Sequence, residues 1–127
     1  MNWNNYSPYF SEQEFACKHT GKCEMNKEFM DKLLELRKSF NKPMKISSGY
    51  RDGTHPVEIN KTVKGAHTTG NACDILVNGA NALKIIEIAI SVGFTGIGVN
   101  QKGNSRFIHL DDLPNSIAFP RPTIWSY

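Results

Sequence analysis

Two short apolar segments each carry ionisable residues on one face, and this limits what the chain can fold into. Asn71-Ala72-Cys73-Asp74-Ile75-Leu76-Val77 reads as a strand closed by the turn dipeptide Asn78-Gly79. Side chains alternate across a strand, so Ala72, Asp74 and Leu76 share one face. Arg106-Phe107-Ile108-His109-Leu110-Asp111 repeats the pattern: Phe107, His109 and Asp111 share a face, and Ile108 and Leu110 take the other. An aspartate in the middle of an apolar strand is costly to bury unless a cation or a metal answers it. Two neighbouring strands would therefore present an Asp and a His from one side of a largely apolar sheet.

The rest of the chain supplies a frame for that sheet. Ser11-Glu12-Gln13-Glu14 is a capping box with Phe10 and Phe15 as its hydrophobic staple, which predicts a short helix ending before Lys18. Asn26 caps a longer helix whose Phe29, Met30, Leu33, Leu34, Leu36 and Phe40 recur at three- and four-residue spacing, stopped by Asn41-Lys42-Pro43. Met44 to Ser48 reads as a short strand, and residues 52–70 as a polar loop with at most one helical turn. A loop that long inside a compact domain is more often functional than idle. A third helix, capped by Asn81 or a neighbour and stopped by Gly93, is apolar on most sides and is expected to be well buried. Phe94 to Val99 and Arg106 to Asp111 form a hairpin, and Pro114 to Tyr127 reads as an irregular tail. Helices first, then strands with one inserted helix, predict an α+β fold in one domain spanning 1–127.

Composition narrows the function classes. A net charge of +3 with no dense basic cluster argues against a nucleic-acid binder. Thirteen aromatics among 127 residues argue against disorder. No apolar run reaches the roughly 18 residues of a membrane span. The N-terminus lacks the pattern of a secretory signal, so synthesis in the cytoplasm is expected. Three cysteines fit reduced thiols. A Cys17–Cys23 disulfide, or a metal clip of the two with His19, is the alternative, and Cys73 is read as core packing. Trp125 and Tyr127 are expected to close the core.

His67 lies seven residues before Asp74 on a Gly-flanked loop that can fold back over the strand. His67, Asp74 and His109 together make a two-histidine, one-carboxylate set, a normal catalytic zinc complement with one position left for water. Taken singly, His67 is also readable as a loop histidine, Asp74 as the salt-bridge partner of Arg51, and His109 as a satisfied core histidine.

The series Ser47-Ser48-Gly49-Tyr50-Arg51, His67-x-x-Gly70-x-Ala72-x-Asp74-Ile75, Gly93-Phe94-x-Gly96-Ile97-Gly98 and Phe107-Ile108-His109-Leu110-Asp111 resembles the zinc D-alanyl-D-alanine carboxypeptidase family, in its short bacterial and phage branch. The resemblance runs from Tyr9 to Trp125, with Phe10-x-x-x-Glu14-Phe15-x-Cys17 at the start and Arg121-x-x-x-Trp125 at the end. It implies a small α+β domain with a central antiparallel sheet carrying one zinc, the fold of the hedgehog signalling domain. It implies His67, Asp74 and His109 as ligands and zinc-activated water as the nucleophile. The implied substrate is a peptidoglycan stem peptide, held by Arg51 with Ser48 and His55. Better-known branches place an acidic base three positions before the last histidine ligand, where this chain has Arg106, and some place a histidine where it has Phe107. Asp111 is then the first candidate for the base, or else a carboxylate that orients His109, and His55 is the second. Arg51 reads as a substrate anchor or as a structural partner of Asp74 or Asp52. The implied setting is phage-encoded wall degradation, on lysis or from a virion. The rival reading is a zinc-stabilised module without catalysis, such as a phage structural component, and a metal-free cytoplasmic domain is a further one.

Overall fold

The computed structural model describes all 127 residues. Its elements in chain order are α1 (Glu12–Phe15), α2 (Lys27–Phe40), β1 (Lys45–Ser48), β2 (Ala72–Leu76), α3 (Gly79–Val92), β3 (Gly96–Asn100), β4 (Phe107–Asp111) and β5 (Thr123–Ser126). Short 3-10 turns at Trp3–Tyr6 and Ala66–Thr69 complete it.

The helix starts follow from side chains that satisfy free amides. Asn26 Oδ1 accepts from the N–H of Glu28 at 2.9 Å and of Phe29 at 3.3 Å. At α1 the Glu14 carboxylate accepts from the Ser11 backbone at 2.7 Å, and the staple rings of Phe10 and Phe15 meet edge to face with centroids 5.5 Å apart.

The five strands lie in the order β1-β2-β4-β3-β5. The first four pair antiparallel, as expected, and β5 adds in parallel to β3. The tail from Pro114 is therefore not all irregular. Its last residues find a sheet edge, a long-range pairing that local pattern does not encode.

One face of the sheet is the core. Cys73, Ile75, Ile97, Ile108 and Leu110 are buried there in one cluster with the apolar face of α2 and with Ala82, Ile85, Ile88 and Ala89 of α3. Burying a side chain such as Ile75 or Ile108 contributes about 1.5–3 kcal/mol. α3 departs from its expected all-round burial: Leu83 and Ile90 are 71% and 63% exposed, because α3 is covered on one side only.

The other face carries polar residues in register. Paired residues point the same way, so Asp74 (β2), His109 (β4), Gly98 (β3) and Trp125 (β5) form one row. Ala72, Asp111, Gly96 and Thr123 form the next. The two glycines leave this face open. A Cβ at Gly96 would meet the Asp111 carboxylate, its Cγ at 2.5 Å, and one at Gly98 would come within 2.7 Å of the Trp125 indole.

Candidate metal centre

Period two puts Asp74 and His109 on one face, and the β2–β4 register sets them directly opposite. His67 reaches the same point from the 3-10 turn before β2, and backbone bonds hold that turn. The Arg51 N–H donates to the His67 carbonyl at 3.1 Å, and the Gly49 carbonyl accepts from His67 Nδ1 at 2.8 Å. The segment after β1 thus grips His67 at both its backbone and its ring.

One ligand atom from each of His67, Asp74 and His109 lies within 4.8 Å of the others. The protonation pattern can be argued from the outer partners. A carbonyl only accepts, so His67 Nδ1 is a donor and its Nε2, 3.3 Å from Asp74 Oδ1, is free. His109 Nε2 lies 2.7 Å from Asp111 Oδ2, and a carboxylate also accepts, which turns His109 Nδ1 toward Asp74 Oδ1 at 3.1 Å. With neutral rings, three lone pairs converge in a buried space. That arrangement needs a cation, and two imidazoles with a carboxylate suit zinc. Without the ion, protons do the same work. Burial opposes a charged His109 ring, but the Asp111 and Asp74 carboxylates override it and raise its pKa. Burial would raise the Asp74 pKa, yet hydrogen bonds from both histidines hold it well below the usual carboxylate range.

Asp111 lies behind His109, fully buried. Arg121 clasps it with Nε to Oδ1 and Nη2 to Oδ2, both at 2.8 Å. Burial alone would raise its pKa; bonds from His109 and Arg121 bring it down to about 2. Arg121, which sequence reading left without a role, is thus the outermost support of His109. An Arg four residues before a Trp, downstream of the strand, was the available signal.

The centre opens into a cleft of about 510 Å³. Arg51, Glu58 and Lys61 contribute to its lining, as do the aromatic rings of Phe107, Phe119, Trp125 and Tyr127. Trp125 and Tyr127 therefore face the site and do not close the core: the Trp125 ring packs 5.1 Å from the His109 ring. Arg51 pairs with Glu58 at 3.0 Å, and not with Asp74 or Asp52. Ser48 and His55 line a separate, smaller cleft with Lys18, and only Arg51 borders both. Phe107 borders the main cleft, whereas Arg106 turns back to the Gly103 carbonyl at 3.1 Å. Glu58 was not singled out in the sequence, because six residues of loop separate it from Arg51. Cys17 and Cys23 are free thiols, and Cys17 Sγ accepts from the Asp52 N–H at 3.3 Å.

A two-histidine, one-carboxylate cluster at the floor of an open cleft, on one face of an α+β sheet, has the ligand complement of a catalytic zinc site with one position left for water. The Peptidase M15 family model matches residues 8–111, and the chain belongs to that family of zinc-dependent peptidases. No curated protein matches the chain. No helix is long and apolar enough to cross a membrane.

Proposed function

We propose that the chain is a zinc metallopeptidase that hydrolyses a peptide bond in peptidoglycan stem peptides, as a D-alanyl-D-alanine carboxypeptidase or an endolysin-type endopeptidase. The observation that carries this reading is the convergence of His67, Asp74 and His109 beneath a cleft walled by Arg51. His67, Asp74 and His109 would hold a zinc ion, which would supply Lewis acidity for a carbonyl and lower the pKa of a bound water toward neutrality. The chain's own residues do the rest. Arg51 offers a planar fork to a substrate carboxylate. The aromatic wall excludes water from one side. Asp111 and Arg121 fix the tautomer and orientation of His109.

Asp111 was the first candidate for the base. The geometry supports the orienting role instead, because the carboxylate is enclosed and both oxygens are engaged by His109 and Arg121. His55 stands outside the main cleft. The family resemblance alone supports a setting in phage-borne wall degradation.

The non-catalytic module keeps one supporting observation, Arg106 and Phe107 at the positions of the usual acid and histidine. The test is mass spectrometry of peptidoglycan fragments after incubation with zinc-loaded protein. Cleavage is expected as the gain of one water at a single bond, lost in His109→Ala. Intact fragments with full zinc loading would establish the non-catalytic reading.

A further inference from the structure

Glu58 is the one fully buried glutamate in the chain, and the metal centre does not use it. Its carboxylate is the hub of the cleft's cationic wall. Oε2 accepts from Arg51 Nη1 at 3.0 Å, Oε1 accepts from the Gly65 N–H at 2.8 Å, and Lys61 Nζ lies 3.4 Å from Oε1. Lys64 closes the loop beneath it, donating to the carbonyls of Glu58, Ile59 and Lys61. A buried ion pair contributes little net stability, because desolvation offsets the attraction. What it does provide is position.

The charges do not cancel. Arg51 and Lys61 share one carboxylate, whereas Arg121 across the cleft is matched by Asp111. One positive charge is left over on the wall that Arg51 and Lys61 form. Both remain accessible, their side chains 22% and 45% exposed, while Glu58 beneath them is not.

We propose that Arg51 and Lys61, bridged by Glu58, form a two-cation clamp for the free terminal carboxylate of a peptide, with Lys61 a specificity-determining residue and Glu58 a positioning residue. The clamp rests on the peptidase reading, which supplies the free C-terminal carboxylate as its ligand, and deepens it by adding Lys61 and Glu58 to Arg51 as the residues that recognise that carboxylate. Glu58 acts through the cations: it fixes the Arg51 fork and, through Gly65, the turn that carries His67.

The test needs no turnover. N-acetyl-D-alanine and its C-terminal amide are titrated into zinc-loaded protein, and the Gly65 amide and Arg51 Nε signals are followed by ¹H–¹⁵N spectroscopy. The acid is expected to bind at least tenfold more tightly than the amide. Lys61→Met, at a half-exposed site, should weaken the acid by roughly three- to fivefold and leave the amide unchanged. Glu58→Gln retains an acceptor for Gly65 but not the charge. It should weaken the acid and narrow the acid-to-amide ratio, with Glu58→Asp restoring part of it. Zinc content and melting temperature, measured alongside, register any structural loss, which would affect both ligands equally. Equal binding of acid and amide, or an unchanged ratio in Lys61→Met, overturns the clamp. Equal or tighter acid binding in Glu58→Gln overturns the positioning role, showing that Glu58 only screens its neighbours. Because the probe is bound and not cleaved, failure of hydrolysis leaves these outcomes readable.

Discussion

Asp111→Asn separates the two roles open to that carboxylate. Asp111 is fully buried, and the Arg121 side chain that clasps it is 7% exposed. Its oxygens receive three short donors, two from Arg121 and one from His109. An asparagine offers one oxygen and one amide group, so at least one donor would face another donor. Breaking a buried pair by removing one partner costs about 3–5 kcal/mol, and a retained oxygen puts Asn near 3. For 127 residues the entropy of unfolding is about 0.27 kcal/mol/K, so the melting temperature in chelator should fall by about 10 °C. Loss of the acceptor behind His109 should weaken zinc by about 10- to 100-fold. The assay is thermal unfolding with chelator and with excess zinc, together with zinc competition against a chromophoric chelator. The pH dependence has a definite sign. The Asp111 carboxyl sits at about 2 in the folded chain and about 4 when unfolded, so its stabilisation is present above pH 4 and lost as pH falls toward 2. Asp111→Asn should flatten that limb in chelator. A general base would behave differently: Asn would spare both melting temperature and zinc and lower only turnover. Wild-type melting and wild-type zinc affinity in the variant would refute the orienting role.

Two further outcomes follow from the same face of the sheet. His67→Ala and His109→Ala should each lose most bound zinc as measured by elemental analysis, and undiminished zinc in both would remove these residues from the metal centre. Gly98→Ala places a methyl group 2.7 Å from Trp125 Nε1 and 2.9 Å from Tyr127 Oη, so β5 must shift, at a cost of about 1–3 kcal/mol in chemical denaturation. The displaced indole should change tryptophan emission while zinc is retained, and unchanged emission would show that Trp125 does not lie over Gly98.

The antiparallel core of the sheet was legible because its signal is local. Period two placed Asp74 and His109 on faces that the β2–β4 register then joined, and the caps at Ser11 and Asn26 are satisfied within three residues. What escaped was long-range. Arg121 is ten residues beyond Asp111 and reaches it only because the chain returns to pair β5 with β3. Glu58 looked like any acid on a polar loop until the loop folded over it. The apolar pattern of α3 suggested full burial, but hydrophobicity counts do not say how many sides a neighbour covers, and Leu83 and Ile90 face outward.

The support of the centre has two origins in the chain. His67, Asp74, His109 and Asp111 all lie within residues 8–111, the stretch that matches the family model. Arg121, Trp125 and Tyr127 lie beyond it, yet Arg121 holds Asp111 and Trp125 packs on His109. The candidate ligands and the carboxylate behind them are therefore set by the matched stretch, while the second layer, which decides how firmly His109 is aimed, comes from the segment after it. Gly96 and Gly98 let that layer in: with any larger side chain on β3 neither the Asp111 carboxylate nor the indole could lie over the sheet where they do. On this argument the precision of the candidate metal centre depends as much on two missing side chains in β3 as on the three residues that could hold an ion.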